Sequence, residues 1–404
     1  MNTRIYLRWF FGPLITVLLI VSAVNASVDP YGIFDLIRLS GLNAEKPQRF
    51  TSGGRIEKSI DLRFGRYDTL ILGSSRAQIG IDPVSPALAG GQIYNAGLSL
   101  TNMYELLKIG SYALDYQKLE RVIFGIDFLM FSRRRTVSAD FGDSGFAGHS
   151  LGYTYLRHLI SIDALQHSAQ TLQFNLTGSR SAQRLNGYRD GTLRFGRADP
   201  RRLFTSILED HFLVNPETYA AFDYDLRRVD MLRELIGMLV SRGVSVYLFI
   251  SPVHARQLEA IEQLGLFPTF ERWKRDVVAV VEEVNRGLAP SHKPVAIWDF
   301  TGYNSITTEA VPAAGEGKAT KWFWESSHYK REVGDMVLLR MLHPNSSATS
   351  VPAGFGVMLA SETLEAHFEG IRLAARRYRE TYPYEVADVE QLARKTESIR
   401  RSLN

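Results

Sequence analysis

The chain contains no cysteine. That excludes disulfide bridges, thiol nucleophiles and thiolate zinc sites, and it leaves the compartment to be read from other features. A long block of like charge is also missing. The formal net charge is +4 over 404 residues, and Lys and Arg are scattered with no nucleic-acid motif beside them, so no nucleic-acid partner is expected. The nine histidines show no close metal-ligand spacing, so neither a catalytic metal nor another cofactor is expected. Internal repeats and low-complexity tracts are absent. With 45% hydrophobic and 22% charged residues, the composition is that of a folded globular chain with room for one large domain or two ordinary ones.

One long uncharged run is present. From Trp9 to Val28 no residue is charged, and Phe10 to Val24 is strongly apolar. About 20 such residues are what a helix needs to cross a bilayer. Arg4 and Arg8 precede the run, which predicts a cytoplasmic start and export of the remainder of the chain. A retained signal anchor is favoured. The alternative is a signal peptide cleaved after Val24-Asn25-Ala26. The apolar run is long for a cleaved peptide, and it passes directly into Asp29-Pro30-Tyr31 without a polar, flexible stretch.

Residues 29–64 read as a connector, broken at Ser52-Gly53-Gly54. Then come five short runs rich in β-branched and aromatic residues, each closed by small or polar residues: Asp68–Leu72 before Gly73-Ser74-Ser75, Gln92–Tyr94 before Asn95-Ala96-Gly97, Arg121–Phe124 before Gly125-Ile126-Asp127, Val244–Ile250 before Ser251-Pro252, and Pro294–Trp298 before Asp299. Nearly continuous apolar character predicts strands covered on both faces. Helical spacing recurs between them over 102–114, 229–241 and 270–286. The alternation predicts an α/β fold with a parallel sheet over 65–343, whose ligand sites lie beyond the carboxyl ends of the strands. Residues 132–228 stand out as a long insertion with helices around 155–172. Residues 344–404, opening on Pro344-Asn345-Ser346-Ser347, read as a helical extension.

Serine becomes a nucleophile when a base takes its proton and an acid orients that base. Ser75 follows the strongest strand candidate. His328, in Trp324-Glu325-Ser326-Ser327-His328, lies late in the α/β region, with Glu325 one turn before it. Taken singly, Gly-Ser-Ser is also an ordinary turn and helix cap, and His328 an ordinary surface histidine. His254 after the fourth strand is expected to have a structural or surface role, with a place on the rim of the same site as the alternative. Arg133-Arg134-Arg135 is expected to be a solvated charge run, with attraction of an anionic glycan, phosphate or lipid head group as the alternative. Asp299 is expected to be a turn or capping residue.

In their order along the chain these pieces resemble the SGNH hydrolase superfamily, also called GDSL esterases. Gly73-Ser74-Ser75 is similar to its nucleophile block, with Ser74 in place of the usual aspartate. Asn95-Ala96-Gly97 looks like the block that supplies an oxyanion glycine. Gly125-Ile126-Asp127-Phe128 takes the place of Gly-x-Asn-Asp, with Asp127 where the oxyanion asparagine stands. Glu325-Ser326-Ser327-His328 takes the place of Asp-x-x-His. The resemblance covers roughly residues 65–340. It implies a three-layer, flavodoxin-like sheet, Ser75, His328 and Glu325 as catalytic residues, and Asn95, Gly97, Asp127 and Arg76 around the oxyanion or substrate. An ionised Asp127 cannot donate a hydrogen bond, which shifts oxyanion support toward the Ser75 and Gly97 amides.

The Gly-Ser-Ser form, joined to an N-terminal anchor (1–28), is similar to the envelope branch with DltD-like and AlgJ/AlgX-like alginate O-acetylation proteins. That branch implies a single-pass protein of the bacterial inner membrane with a periplasmic catalytic domain. Its expected activity is O-acyl transfer, with O-acetylation of a cell-envelope polysaccharide favoured, beside a membrane-bound O-acyltransferase partner. An envelope carbohydrate esterase or deacetylase, or a non-catalytic scaffold for such a partner, are the alternatives.

Overall fold

The apolar runs become strands β1 (Thr69–Leu72), β2 (Ile93–Asn95), β3 (Arg121–Ile126), β4 (Ser245–Ile250) and β5 (Ala296–Asp299). A further strand, β6 (Val357–Leu359), lies in the stretch expected to be helical only. The computed structural model describes residues 3–47, 54–88, 90–181, 184, 186–344 and 351–402, with residues 3–6 described by backbone alone. The expected break at Ser52-Gly53 and the Asn345-Ser346-Ser347 opening of the extension lie outside the described residues. Among those described, the strands form one sheet of order β2-β1-β3-β4-β5-β6. The first five are parallel and β6 is antiparallel at the edge. This is an α/β protein.

The near-continuous apolar character has the expected cause. Alternate strand residues face opposite ways, and both sets are buried. Ile71, Ile123 and Phe249 join the apolar cluster of helix Arg331–Leu342. Leu70, Val122 and Leu248 face the other side, also fully buried, where helices Met103–Tyr116, Leu226–Ser241 and Phe267–Arg286 pack. Each fully buried side chain of this size stabilises the fold by about 1.5–3 kcal/mol.

From β1 the chain passes through the short helix Ser75–Gly80 to β2 on one side, and then through helix Met103–Tyr116 to β3 on the other. The two connections diverge above β1 and β3, which opens a crevice at their carboxyl ends. Gly73 sits at its base with φ 150, where a Cβ would lie 2.7 Å from the Gly125 carbonyl oxygen and 2.7 Å from Ala77 Cβ. Only glycine lets β1 end this close to β3.

The described chain divides into two compact units. The sheet unit holds residues 65–137 and 185–404, so the C-terminal extension belongs to it. Buried Arg256 of helix Ala255–Gln263 pairs with Glu385 and Asp388 of helix Pro383–Lys395. The other unit holds residues 1–64 and 138–184. The insertion expected over 132–228 is thus divided between the units, and the described parts of the expected connector, residues 29–47 and 54–64, belong to this compact unit.

In that second unit, the helix Thr3–Val28 is exposed from Leu7 to Ile20 and becomes buried toward its end. Among the described residues it is long and apolar enough to cross a membrane. The Asn25 amide donates to the carbonyls of His158, Leu159 and Ser161 at 3.0–3.1 Å. Those residues form the junction of helices Leu151–Leu159 and Ile162–Leu176.

His254 shows how β4 is joined to its helix. It caps helix Ala255–Gln263, with Nδ1 accepting the Arg256 N–H at 3.2 Å and Nε2 donating to the Glu309 carbonyl at 2.9 Å. Burial pushes it down from 6.5 to about 4. The unfolded chain therefore takes up a proton between those values that the folded chain refuses, and stability falls as pH drops from about 6.5 to about 4. That shift corresponds to roughly 3 kcal/mol at most. In His254→Gln, the decline of unfolding free energy across this window, measured by denaturant titration, should be shallower.

Candidate active site

Three segments converge at the crevice. Ser74 caps helix Ser75–Gly80, its hydroxyl accepting the Arg76 N–H, and this sets Ser75 as the first helical residue. The bulge Trp324–Tyr329 is closed by the Trp324 N–H donating to the His328 carbonyl at 2.8 Å. Asp127 ends β3.

Ser75 Oγ lies 2.8 Å from His328 Nε2. On the other side of the imidazole, Nδ1 meets Glu325 Oε1. Glu325 is fully buried and saturated. Its oxygens also accept the Ser327 N–H at 2.8 Å and the His328 N–H at 3.0 Å. Burial alone would push this carboxyl up. The His328 ring, the Ser327 amide and the Arg76 charge more than offset it, and it titrates below its ordinary value. An ionised carboxylate on Nδ1 fixes the tautomer that leaves Nε2 free to take a proton from a hydroxyl. Phe195 lies 5.6 Å from the His328 ring and stacks on Trp324 at 6.0 Å, so one side of the imidazole is shielded from water.

The other four expected site residues are held elsewhere. Arg76 is buried, and its Nη1 donates to Asp127 Oδ1 at 2.7 Å. Its Nε donates to Ser327 Oγ at 3.2 Å. With the Gln257 amide oxygen turned toward it, Nη2 donates to Gln257 at 2.8 Å. Burial opposes the charge, but Asp127 outweighs it and keeps the guanidinium above its ordinary value. The second Asp127 oxygen accepts the Ser74 hydroxyl. Asp127 is therefore an acceptor on both oxygens and stabilises no oxyanion, while Arg76 braces the Ser75 turn against the histidine loop. The Gly97 N–H donates to Asn95 Oδ1 at 2.9 Å, which engages the amide expected to face an oxyanion. Asn95 Nδ2 donates to the Ala77 and Ile81 carbonyls at 2.9 and 2.8 Å, anchoring the short helix to β2. A Cβ on Gly97 would lie 2.8 Å from the Gln78 nitrogen, so this glycine serves close packing.

A narrow cleft of about 40 Å³ opens over Ser75 and His328, with Leu100, Thr101, Arg135 and His211 among its lining residues. Sequence reasoning passed over Thr101 and His211. Thr101 is 2% exposed, and its hydroxyl has no hydrogen-bond partner among the described residues. An unsatisfied buried hydroxyl costs roughly 1–3 kcal/mol, and Thr101 shares this state with Thr171 and Ser251 but alone of the three lines the cleft. Its neighbour Leu100 has φ 60, strained for a branched side chain and of the kind that gathers at functional sites. Asn102 holds this corner, donating to the Arg135 and Thr136 carbonyls at 3.1 and 3.0 Å. The positive-φ leucine has no sequence signature, so nothing local marked the loop.

Burial, Arg135 and His328 push His211 down to about 4, so it faces the cleft neutral at pH 7. Of the arginine run, Arg133 pairs with Asp223 at the surface and Arg134 is exposed, while Arg135 is buried. His254 lies outside the cleft lining. Asp299 accepts the Thr301 N–H, as a turn residue does, and also pairs with buried Lys274 at 2.6 Å and His367 at 2.8 Å.

The chain matches no protein-family model and no curated protein.

Removing one partner of the buried pair isolates its role. Asp127→Ala leaves Arg76 charged and uncompensated, which should cost about 3–5 kcal/mol of unfolding free energy. The double variant Arg76→Met/Asp127→Leu should cost markedly less. Denaturant titration of both variants checks this. Equal losses would mean that the pair is not what holds the turn.

Proposed function

We propose that this chain is a membrane-anchored serine O-acyltransferase of the SGNH type, with the flavodoxin-like order 2-1-3-4-5 in its parallel strands. The observation that carries the reading is the Ser75–His328–Glu325 relay, with Ser75 Oγ 2.8 Å from His328 Nε2 at the carboxyl ends of β1 and β3.

In the proposed reaction His328 Nε2 takes the Ser75 proton as Oγ bonds to the carbonyl carbon of an ester or thioester. The tetrahedral intermediate collapses, the donor's alkoxide or thiolate leaves, and His328 returns the proton to it. An acyl-serine remains. A sugar hydroxyl then gives its proton to His328 and attacks the acyl carbon, and Ser75 Oγ leaves with that proton. Glu325 stays ionised and stabilises the imidazolium in both halves. Asp127 and Gly97 are engaged, so the oxyanion falls to the Ser75 N–H and the Thr101 hydroxyl, a donor already desolvated and without a partner among the described residues.

Acetyl as the acyl group, a cell-envelope polysaccharide as acceptor, a membrane-bound acyltransferase as donor partner and a periplasmic setting come from the resemblance to the envelope branch. The apolar helix Thr3–Val28 supports the membrane part of this reading. Water as the acceptor would make the same relay an esterase.

A fluorophosphonate probe should label the wild-type protein, and Ser75→Ala and His328→Ala should abolish labelling. Glu325→Gln should slow it by about 10³–10⁴-fold, as expected when the base loses its orienting charge. A folded wild-type protein that does not label would support the scaffold reading instead. Thr101→Val keeps the shape and removes the donor. It should lower the rate of acyl-enzyme formation from a nitrophenyl ester by about 10²–10³-fold, with the unfolding free energy unchanged or raised.

A further inference from the structure

The free part of the N-terminal helix is too short to cross a bilayer alone. Among the residues whose side chains are described, the continuously exposed stretch of the helix runs from Leu7 to Ile20. With Arg8 excluded, the free apolar stretch Trp9–Ile20 is ~18 Å long at ~1.5 Å per residue. The hydrocarbon layer is ~30 Å thick. The whole uncharged run Trp9–Val28 is ~30 Å, so the helix spans only if its last two turns also lie in hydrocarbon. Those turns pack against the helical unit on one side, with Asn25 and Val28 buried and Ala23 and Ser27 exposed.

This packing is built for that position. Backbone and side-chain polar groups there must be satisfied from within, because hydrocarbon offers no water. The Asn25 amide is held by three carbonyls. The carbonyls at the end of the helix are capped by side chains. Asn43 Nδ2 donates to the Ser27 carbonyl at 2.8 Å, and Lys46 Nζ donates to the Val28 and Asp29 carbonyls at 2.8 and 2.6 Å. Around this polar interior the outward side chains are mostly apolar, and the exposed charges within 36–42 and 156–162, Arg38 and Arg157, are paired with Asp35 and Asp143. Asn43 also binds the Ile37 carbonyl and the Leu39 N–H, which places the loop 36–42 beside the last turn, and Leu36 there is 68% exposed. Asn25 fixes the helix junction at the same level, where Leu156 is 60% and Ile162 70% exposed. A soluble fold does not gather such residues around the exit of an apolar helix without something to cover them.

We infer that the loop 36–42 and the helix junction 156–162 form a collar embedded in the lipid leaflet from which the chain emerges, completing the span that the free helix leaves short. The occupant of this apolar surface is lipid, because the surface is continuous with a helix whose length falls short by the depth of the collar. Asp35 and Arg38, paired with each other, lie at the depth where charged ends reach the interface. The collar also makes the helix a permanent part of the protein, since cleavage after Ala26 would remove Asn25.

This inference rests on the reading of Thr3–Val28 as a membrane span, and one experiment separates the two. The chain has no cysteine, so each introduced cysteine is unique. Full-length Leu36→Cys, Leu156→Cys and Ile162→Cys carry an environment-sensitive fluorophore in proteoliposomes of this protein and phosphatidylcholine alone. Ile15→Cys reports the free helix, and Tyr384→Cys, on the sheet unit, reports water. Nitroxide lipids should quench the three collar labels most strongly when the nitroxide lies shallow in the acyl chain, and the Ile15 label when it lies deep. Tyr384 should respond to aqueous iodide only. Collar labels quenched by iodide and not by lipid, with Ile15 still quenched by deep nitroxides, overturn the collar and leave the anchor. Collar labels shielded from both quenchers in these vesicles also overturn it, because protein then covers the surface. Loss of the deep quenching at Ile15 removes the span itself.

Discussion

The site depends on one buried ion pair. Arg76 and Asp127 lie 51 positions apart, one on the first turn after β1 and the other at the end of β3. A guanidinium in a fork of acceptors is directional, so this pair fixes more than a distance. Through Ser327 it reaches the histidine loop, and through Gln257 the start of helix Ala255–Gln263. Removing either charge would strand the other in low dielectric. The Ser75 turn, the third strand and the His328 loop are thereby held as one object, and the 2.8 Å contact between Ser75 and His328 is a consequence of that bracing.

The same bracing decides which groups remain available. A carboxylate next to a serine invites the role of base or oxyanion partner, yet Asp127 has both oxygens engaged. Gly97 offers an amide near the crevice, yet that amide is bonded to Asn95. What is left is a relay with a saturated acid and, among the described residues, an unpartnered hydroxyl at Thr101 in the shared cleft. In the proposed reaction the free donors, rather than the familiar positions, meet the developing charge.

The helical unit illustrates a related constraint. Asn25, Asn43 and Lys46 are polar residues at or just after the end of an apolar helix, and nothing in the sequence marked them as partners of that end. In the fold they close the helix end from within, and Leu36, Leu156 and Ile162 beside them are left exposed. Polarity in the sequence does not predict polarity of the surface when the polar groups bind one another.

Much of the architecture was legible. β-branched runs ending in small residues marked the five parallel strands, helical spacing marked the helices between them, and an uncharged stretch of bilayer length marked the N-terminal helix, because each is a local pattern written by burial on known faces. Ser75, His328 and Glu325 could be nominated because strand ends and short spacings are also local. β6 was missed because a short edge strand of three exposed-to-buried residues carries no such run, and the division of the 132–228 insertion was missed because it depends on partners far away in the chain. Local patterns therefore dictate the elements and the residue types at the strand ends. Which polar groups are engaged and which stay free is set by the folded chain, because hydrogen bonds inside a protein are satisfied by whatever the fold brings near, and that neighbour is seldom close in sequence.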